Sequence, residues 1–289
     1  MPLCNDCPRK CNAFRSESDF GACQVPYLPR VARAGLHYGE EPCISGTKGS
    51  GTVFFSGCSL KCVFCQNFDI SHNCFGKDIS IKRLSDIFRE LENVGAHNIN
   101  LVTPSHYIAA IKEALKLYRP KIPIVYNSSG YDDIKVIEDD IFDIYLFDLK
   151  FFSEEKSAKY AKCNDYFKIA SSAIKKAYEI KGEPILDREG IMQKGVIVRH
   201  MILPQATNDA IKIVNWLNDN TPQIYFSLMS QYVPMHKAEN FREINRKVTK
   251  REYNKVVEAC MDKDFCEIYI QSTKSATEEY IPNFDLSGV

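Results

Sequence analysis

Short apolar runs alternate with amphipathic stretches along the chain from about residue 50 onward. The short runs have the length of strands and are rich in β-branched and aromatic residues, whereas the longer stretches repeat apolar residues with the period of a helix. Seven runs are predicted to be strands, at residues 52–55, 99–102, 122–126, 144–147, 196–203, 223–228 and 267–270.

Helices are predicted between these strands. They cover residues 80–94 and 105–118, a short segment carrying Ile134 and Ile137, a long helical region ending at Lys181, residues 207–217, and a helix that starts at the capping-box pair Thr249 and Glu252. Residues 187–190 are predicted to form a hairpin turn. Because the strands alternate with helices, we expect parallel pairing with right-handed crossovers. Seven strands are fewer than the eight of a closed barrel, so the prediction is a partial barrel with its chemistry at the carboxyl ends of the strands.

Composition narrows the classes of protein that remain. The 289 residues include 37 Lys and Arg and 37 Asp and Glu, and this balance argues against nucleic acid as the main partner. No stretch approaches the roughly 18 apolar residues of a membrane span, and the first residues lack the features of a signal peptide. We therefore expect a cytoplasmic protein.

Seven of the twelve cysteines fall in two closely spaced groups. Cys58, Cys62 and Cys65 directly follow the first predicted strand. Three thiolates within eight residues can hold one face of a [4Fe-4S] cluster and leave one iron open for a ligand. A structural zinc site or a buried reactive cysteine cluster is the alternative interpretation.

The second group is Cys4, Cys7, Cys11 and Cys23. It lies in a predicted Cys-rich extension over residues 1–45, which is too small to build a core and is expected to need a metal for order. Four cysteines can complete a zinc site or a second [4Fe-4S] cluster. Zinc usually prefers two separated pairs, so three cysteines within eight residues favour the cluster slightly.

The spacing C-x3-C-x2-C with Phe64 before the last cysteine resembles the signature of the radical S-adenosylmethionine (SAM) superfamily. Further similarity extends over most of the chain and resembles the uncharacterised iron–sulfur proteins that are like pyruvate formate-lyase activating enzyme. The matching stretches are residues 40–42, 44–46, 95–106, 126–131, 148–150, 198–204, 229–234 and 281–288. The resemblance implies a (β/α)6-type partial TIM barrel over residues 46–289, with a [4Fe-4S] cluster whose open iron binds SAM.

The resemblance also implies which residues contact SAM. Asp148 and Lys150 resemble an Asp-x-Lys motif that holds the methionine part, although an exposed ion pair would look the same in sequence. The candidate contacts are Phe64, Asn67, Thr103, Ser105, Asn127, Asp148, Lys150, His200, Met229 and Gln231. Ser105 is equally well explained as a helix cap, and His200 as a structural histidine. Relatives that activate glycyl-radical enzymes usually carry Gly-Gly-Glu where this chain has residues 103–106. This departure weakens any claim that the protein activates pyruvate formate-lyase itself.

Three functions remain open from the sequence. The first is an enzyme that cleaves SAM reductively to a 5′-deoxyadenosyl radical and abstracts hydrogen from a protein or peptide, like the activases of glycyl-radical enzymes. The second is the same chemistry on a small metabolite, and the third is a non-catalytic iron–sulfur electron-transfer module. By resemblance, flavodoxin or ferredoxin is the expected reductant.

Overall fold

The computed structural model describes residues 3–16, 19–272 and 282–289 of the chain. Its fold is mixed α/β with a sheet of mostly parallel strands, which confirms the predicted fold class. The strands are β1 (Arg30–His37), β2 (Ser50–Phe55), β3 (Lys77–Asp78), β4 (Ile99–Val102), β5 (Ile124–Ser128), β6 (Ile144–Asp148), β7 (Ile185–Leu186), β8 (Met192–Met201), β9 (Tyr225–Met229) and β10 (Glu267–Ile270).

Helices connect the parallel strands and cover the outer face of the sheet. They are α1 (Pro42–Ser45), α2 (Phe68–Ser71), α3 (Ile81–Asn93), α4 (Ile108–Leu117), α5 (Ile134–Glu138), α6 (Glu154–Ala161), α7 (Tyr166–Lys181), α8 (Thr207–Asn220) and α9 (Lys250–Cys260). Short 3₁₀ turns occupy Ser105–Tyr107 and His236–Asn240. The capping box at Thr249 and Glu252 forms as predicted.

The seven predicted strands form a parallel sheet in the order β10-β9-β8-β6-β5-β4-β2. β1 continues the sheet beyond β2 in antiparallel pairing, and β3 pairs with β1. The predicted hairpin turn joins β7 to β8. The sheet does not close, so the molecule is the open barrel that the strand count predicts.

The predicted long helical region is interrupted between α6 and α7. Lys162 takes a left-handed conformation, with φ of 53°, and caps α6. Asp165, just before α7, accepts a hydrogen bond from Tyr131 Oη at 3.0 Å. The periodic apolar pattern continues across this break because both helices bury residues against the same sheet, so the pattern did not reveal the break.

Side chains of the parallel strands alternate between two apolar layers. One set packs with the helices, and the other forms a separate inner cluster with α1. In that inner cluster Cys43 and Ile44 of α1 contact the layer of Val125, Ile144 and Ile197. Since these are early positions in their strands, α1 fills the amino-terminal end of the barrel, and the space inside opens at the carboxyl ends.

Segments at both ends of the chain pack against this framework. Residues 30–37, assigned by sequence to the N-terminal extension, form β1 of the sheet. Near the other end, Leu286 donates to the Ala32 carbonyl at 3.0 Å, and Ala34 donates to the Ser287 carbonyl at 2.9 Å. Ile281, which belongs to the last matching stretch, lies outside the described residues. In the described part of the chain, no helix has the length and apolar character to cross a membrane.

Candidate active site

The loop that follows β2 carries the first cysteine group and is fixed by main-chain hydrogen bonds. Gly57 begins it with φ of 82°, a conformation that glycine adopts at little cost. The Gly57 amide donates to the Ile70 carbonyl at 2.7 Å, and the Val63 amide donates to the Tyr160 carbonyl at 2.8 Å. These bonds tie the loop to α2 and α6, so the three thiols are positioned by the rigid framework.

The three thiols share one environment, in which Cys62 is buried and Cys58 and Cys65 are half-buried. Burial raises the pKa of Cys58, Cys62 and Cys65, and the nearby Lys150 ammonium opposes this rise. The Leu60 amide donates to Cys58 Sγ at 3.4 Å, and Ser71 Oγ donates to Cys65 Sγ at 3.1 Å. Both bonds favour a thiolate over a thiol, as ligation of iron requires.

This donor set fits an iron–sulfur cluster, because Cys thiolates are the ligands that hold such clusters. The thiolates of a cubane bind different irons and therefore stand farther apart than the ligands of one zinc ion. Three sulfurs on one loop, with a cation beside them, are suited to a cluster that keeps one iron open.

A cavity of about 220 Å³ lies beside the three cysteines at the carboxyl ends of the strands. Most of the residues proposed from sequence line it. These are Cys58, Cys62, Phe64, Cys65, Asn67, Thr103, Asn127, Asp148, Lys150, Met229 and Gln231. The fold thus brings together side chains that are up to 173 positions apart in the chain, from Cys58 to Gln231.

A chain of buried charges forms one wall of the cavity. Lys150 Nζ lies 2.9 Å from Asp148 Oδ2, and Arg199 Nε lies 2.6 Å from Asp148 Oδ1. Arg199 Nη1 then reaches Glu40 Oε2 at 2.7 Å, and its Nη2 donates to Asn127 Oδ1 at 2.9 Å. Arg199 Nη1 also lies 3.8 Å from Glu41 Oε2, so two cations face three carboxylates. Burial raises the pKa of Glu41, which favours its neutral form, and Lys150 occupies the end of the network next to the thiols.

The charges fix the protonation of the network. Burial alone raises the pKa of Asp148, but Arg199 and Lys150 outweigh it and lower the pKa to about 2. Burial opposes the charge of Lys150, but the Asp148 carboxylate raises the pKa of its ammonium. Asp148 is therefore an anion and Lys150 a cation at neutral pH, a pair of charges that suits a zwitterionic amino acid.

Thr103 has an unusual backbone conformation at the cavity wall. Its φ is 60°, which is uncommon for a β-branched residue. Its amide donates to the Asn127 carbonyl at 2.8 Å and so links the loop after β4 to the end of β5. Such strain costs on the order of 1–3 kcal/mol and persists where the surrounding structure enforces it, often at binding sites.

Two of the proposed SAM contacts do not line the cavity. Ser105 is buried and lies beside Asp132. Burial raises the pKa of Asp132, and the hydrogen bond with Ser105 offsets part of this rise. Ser105 also makes no side-chain cap, since Pro104 occupies the cap position. His200 donates from Nδ1 to the Leu149 carbonyl at 2.7 Å, and burial lowers its pKa. These placements support structural roles for both residues and no direct contact with a ligand in this cavity.

Arg199 and Glu40 line the site but were not among the proposed contacts. A signal for Arg199 was present in the alternation along β8. Ile197 belongs to the inner cluster, whereas Val196 and Val198 pack with the helices. Because side chains alternate along a strand, Arg199 lies on the same inner face as Ile197, and His200 lies on the same outer face as Val198. Glu40 follows an antiparallel strand and has no such alternation, but it belongs to residues 40–42, one of the stretches that resemble the family.

The four N-terminal cysteines lie outside this cavity, in a lobe packed against the cluster loop. Cys7 and Cys23 are buried, Cys4 is half-buried, and Cys11 is exposed. Arg9 connects the lobe to the loop by donating from Nε to the Ser59 carbonyl at 2.8 Å. The structure thus brings the two cysteine groups next to each other without merging them.

Comparison with known protein sequences identifies a relative of this chain. No family model matches the chain. It is 30% identical over 266 residues to the uncharacterized protein MJ0674 of Methanocaldococcus jannaschii, a match that covers 88% of this chain and 73% of that protein.

Comparison with solved structures finds a similar fold in a protein of low sequence identity. The fold is similar to SuiB of Streptococcus suis bound to the precursor peptide SuiA, with a TM-score of 0.50, 13% identity and coverage of 74% of this chain. It is equally similar, at 12% identity, to SuiB bound to S-adenosylmethionine. The match spans about half of SuiB, at 46% and 48% of its two solved chains. At this identity the likeness shows the shared fold alone.

Proposed function

The chain belongs to the same family as the uncharacterized protein MJ0674 of Methanocaldococcus jannaschii, and on this premise we propose that it is a radical SAM enzyme. The observation that carries the proposal is that three thiols on the loop after β2 and the Lys150–Asp148 pair line the same cavity. When bound by these thiolates, a [4Fe-4S] cluster supplies the electron that cleaves SAM to a 5′-deoxyadenosyl radical, which abstracts hydrogen from the substrate.

The residues around the cavity would bind and orient the methionine part of SAM. Lys150 presents an ammonium beside the thiols for the carboxylate of SAM, and Asp148 presents a carboxylate for its amino group. Arg199 holds Asp148 in place from the other side at 2.6 Å. A zwitterion adds no net charge to this buried network, because its two ends carry opposite charges.

Aromatic and apolar side chains would hold the adenine and keep water from the reacting atoms. Phe64 is buried and meets Tyr232 edge-on, with ring centroids 5.8 Å apart. Met229, at the end of β9, is also buried and lines the cavity. An apolar wall beside a charged one suits a ligand with a flat base at one end and an amino acid at the other.

We propose a protein or peptide as the substrate, as for activases of glycyl-radical enzymes. The cavity opens at the carboxyl ends of the strands, and a barrel of this fold in SuiB has been solved with a precursor peptide. A small metabolite is the alternative substrate, and the buried Arg199–Glu40 pair at the floor is the feature that favours it.

The reductant we propose is an acidic one-electron carrier such as flavodoxin or ferredoxin. His72 lines the cavity beside the cluster loop. Burial, then the charges of Lys61 and Lys237, lower the pKa of His72 to about 4. Several basic side chains therefore surround the cysteine loop, and an acidic surface complements them.

The test is anaerobic reconstitution with iron and sulfide, dithionite reduction, and chromatography for 5′-deoxyadenosine formed from added SAM. We expect formation by the native chain and loss in Cys62→Ala, with Cys266→Ala as the matched control because Cys266 is exposed and remote from the loop. A protein with a full cluster that neither binds nor cleaves SAM would contradict the proposal and support an electron-transfer module. Candidate peptides and metabolites added to the active enzyme would then separate the two substrate classes by which one loses hydrogen.

A further inference from the structure

The N-terminal cysteines gather in a lobe that has no regular secondary structure among its described residues before Arg30. Short main-chain bonds shape it: Cys4 donates to the Ala13 carbonyl at 2.9 Å, and Lys10 donates to the Cys7 carbonyl at 3.0 Å. These turns bring distant positions together, so that the thiol of Cys7 lies within electrostatic reach of Cys4, Cys11 and Cys23. A lobe of this size with four convergent thiols is typical of a segment ordered by metal.

A buried cation lies beside these thiols. Arg15 is 2% exposed, and its guanidinium lies 3.8 Å from Cys4 Sγ and 3.3 Å from Asp6 Oδ2. It also donates to the Pro26 carbonyl at 2.7 Å and to the His106 carbonyl. Asp6 is the single carboxylate paired with it in the described part of the chain, and that carboxylate is partly exposed. A fully buried guanidinium calls for more compensating charge than one partly exposed acid supplies.

We infer that Cys4, Cys7, Cys11 and Cys23 bind a second iron–sulfur cluster, and that Arg15 is its buried counter-charge. Four thiolates leave such a cluster with net negative charge, which the guanidinium offsets. This site has four sulfur ligands, so no iron remains open for SAM. It therefore differs in chemistry from the site at Cys58, Cys62 and Cys65.

The spacing of the cysteines favours the cluster over a zinc ion. Three of the four cysteines lie within eight residues, as at the first site, whereas zinc sites are usually built from two separated pairs. Gly21 gives Cys11 its space, because a Cβ at that position would stand 2.6 Å from Cys11 Sγ. Gly21 therefore lets the Cys11 thiol pack close to the backbone of the lobe.

The second site lies directly behind the first. A Cβ at Gly57, the residue before Cys58, would stand 2.7 Å from the Cys23 carbonyl oxygen. Lys61 Nζ, on the cluster loop, donates to Gln24 Oε1 at 3.1 Å. The backbones of the two cysteine loops are therefore in contact.

The decisive measurement is iron, acid-labile sulfide and zinc per chain in the full-length protein after anaerobic reconstitution. Two [4Fe-4S] clusters require about eight irons and eight sulfides. We expect Cys7→Ser and Cys11→Ser each to lose about half of both, and Cys62→Ala to lose the other half. One zinc per chain that disappears in Cys7→Ser, with the iron content unchanged, would overturn the inference, and so would a native chain with about four irons and no zinc.

Cys11→Ser keeps the inference testable if Cys7→Ser fails to fold, because Cys11 is exposed and its replacement disturbs no packed thiol. The counts do not depend on SAM cleavage. A chain that holds eight irons and fails to cleave SAM would leave this inference standing while the proposed function fails.

The role of Arg15 has its own readout, the midpoint potential of the second cluster in an electron paramagnetic resonance titration. We expect Arg15→Gln to lower that potential, because a lost cation makes reduction harder, and Arg15→Lys to restore it in part. Arg119→Gln is the matched control, since Arg119 is exposed and pairs with Asp143 at 3.7 Å. Equal potentials in the native chain and Arg15→Gln would exclude the counter-charge role.

Discussion

Single side chains set the charge balance of the cavity, and Arg199 does so most directly. It contacts Asp148, Glu40 and Asn127, each at 2.9 Å or less. Asp148 stays ionised because this guanidinium, with Lys150, overcomes the effect of burial on its pKa. Arg199 therefore fixes the Asp148 carboxylate on the side away from Lys150, and Lys150 lies next to the thiols.

Replacement of Arg199 tests this balance. Arg199→Gln leaves Asp148 and Glu40 without their shared cation, and removal of one partner from a buried ion pair typically costs about 3–5 kcal/mol. We expect a loss of that size in the free energy of unfolding, measured by urea titration, together with weaker SAM binding. Arg119→Gln breaks an exposed pair and should cost less than about 1 kcal/mol. A loss of the same size in both variants would argue against the network.

His106 gives the protein a pH-dependent stability at the residue scale. The side chain is fully buried, and its Nε2 donates to the Ser56 carbonyl at 2.8 Å. Its Nδ1 has no hydrogen-bond partner within the described structure. Burial, then the Arg15 charge, lower the pKa of His106 from 6.5 to about 3.

The sign of the effect follows from this lowered pKa. Below pH 6.5 His106 is protonated in the unfolded chain, whereas in the folded chain it stays neutral down to about pH 3. The unfolded state therefore binds more protons, and the free energy of unfolding falls as the pH falls. The loss is up to about 1.4 kcal/mol per pH unit. In unfolding titrations at pH 7.5 and 5.5, His106→Gln should lose less stability than the native chain. His236→Gln, at an exposed position, should behave like the native chain, and equal losses in all three proteins would refute the assignment.

At the scale of elements, the loop after β2 depends on its neighbours for its shape. α2 and α6 receive its main-chain hydrogen bonds, and the N-terminal lobe packs behind Gly57. The loop has no helix or strand of its own between β2 and α2. Its thiols are therefore positioned by contacts from three sides.

Gly57→Ala tests the contact between the loop and the lobe. A positive φ costs a non-glycine residue about 1–2 kcal/mol, and the added Cβ would also press on the Cys23 carbonyl and on Val25. We expect a larger loss in thermal stability than in Gly95→Ala, and a loss of bound iron that Gly95→Ala does not show. Gly95 has φ of 84° and open space around it, so the pair of variants separates the clash from the backbone cost. Full iron content in Gly57→Ala would show that the contact is dispensable.

At the scale of the whole molecule, segments near both ends of the sequence complete the barrel edge. Residues 282–289 lie along β1, and Phe284 packs on Phe54 with ring centroids 5.6 Å apart. Pro282 lines the cavity. The site therefore includes contacts between positions more than 200 residues apart, which no local pattern encodes.

Gly288→Ala tests this long-range closure. Gly288 has φ of 72°, and a Cβ there would overlap the Ala34 carbonyl oxygen. We expect the segment to leave β1, so that the Ala34 amide, which donates to Ser287, exchanges its hydrogen faster in deuterium-exchange measurements. Gly190→Ala, with φ of 79° and open space, should leave that amide protected. Unchanged protection at Ala34 in Gly288→Ala would contradict the expected release.

The sequence by itself determined the strands, the helices and the motif loop, because each depends on local periodicity, capping and spacing. All seven predicted strands and the capping box at Thr249 are present, and the strand count predicted an open barrel. The three cysteines after β2 were identified by spacing alone. Most of the proposed cavity residues follow strands and meet because parallel strands bring their carboxyl ends to one edge.

Only the tertiary structure decided which face of β8 lines the cavity, and which distant segments close it. His200 points outward and Arg199 inward because they lie on opposite faces of β8. Glu40 reaches the site from a loop whose strand runs antiparallel, and Arg15 is buried by contacts with His106 and Pro26. Such placements depend on packing between residues far apart in sequence, and their energy exists only once the chain has folded.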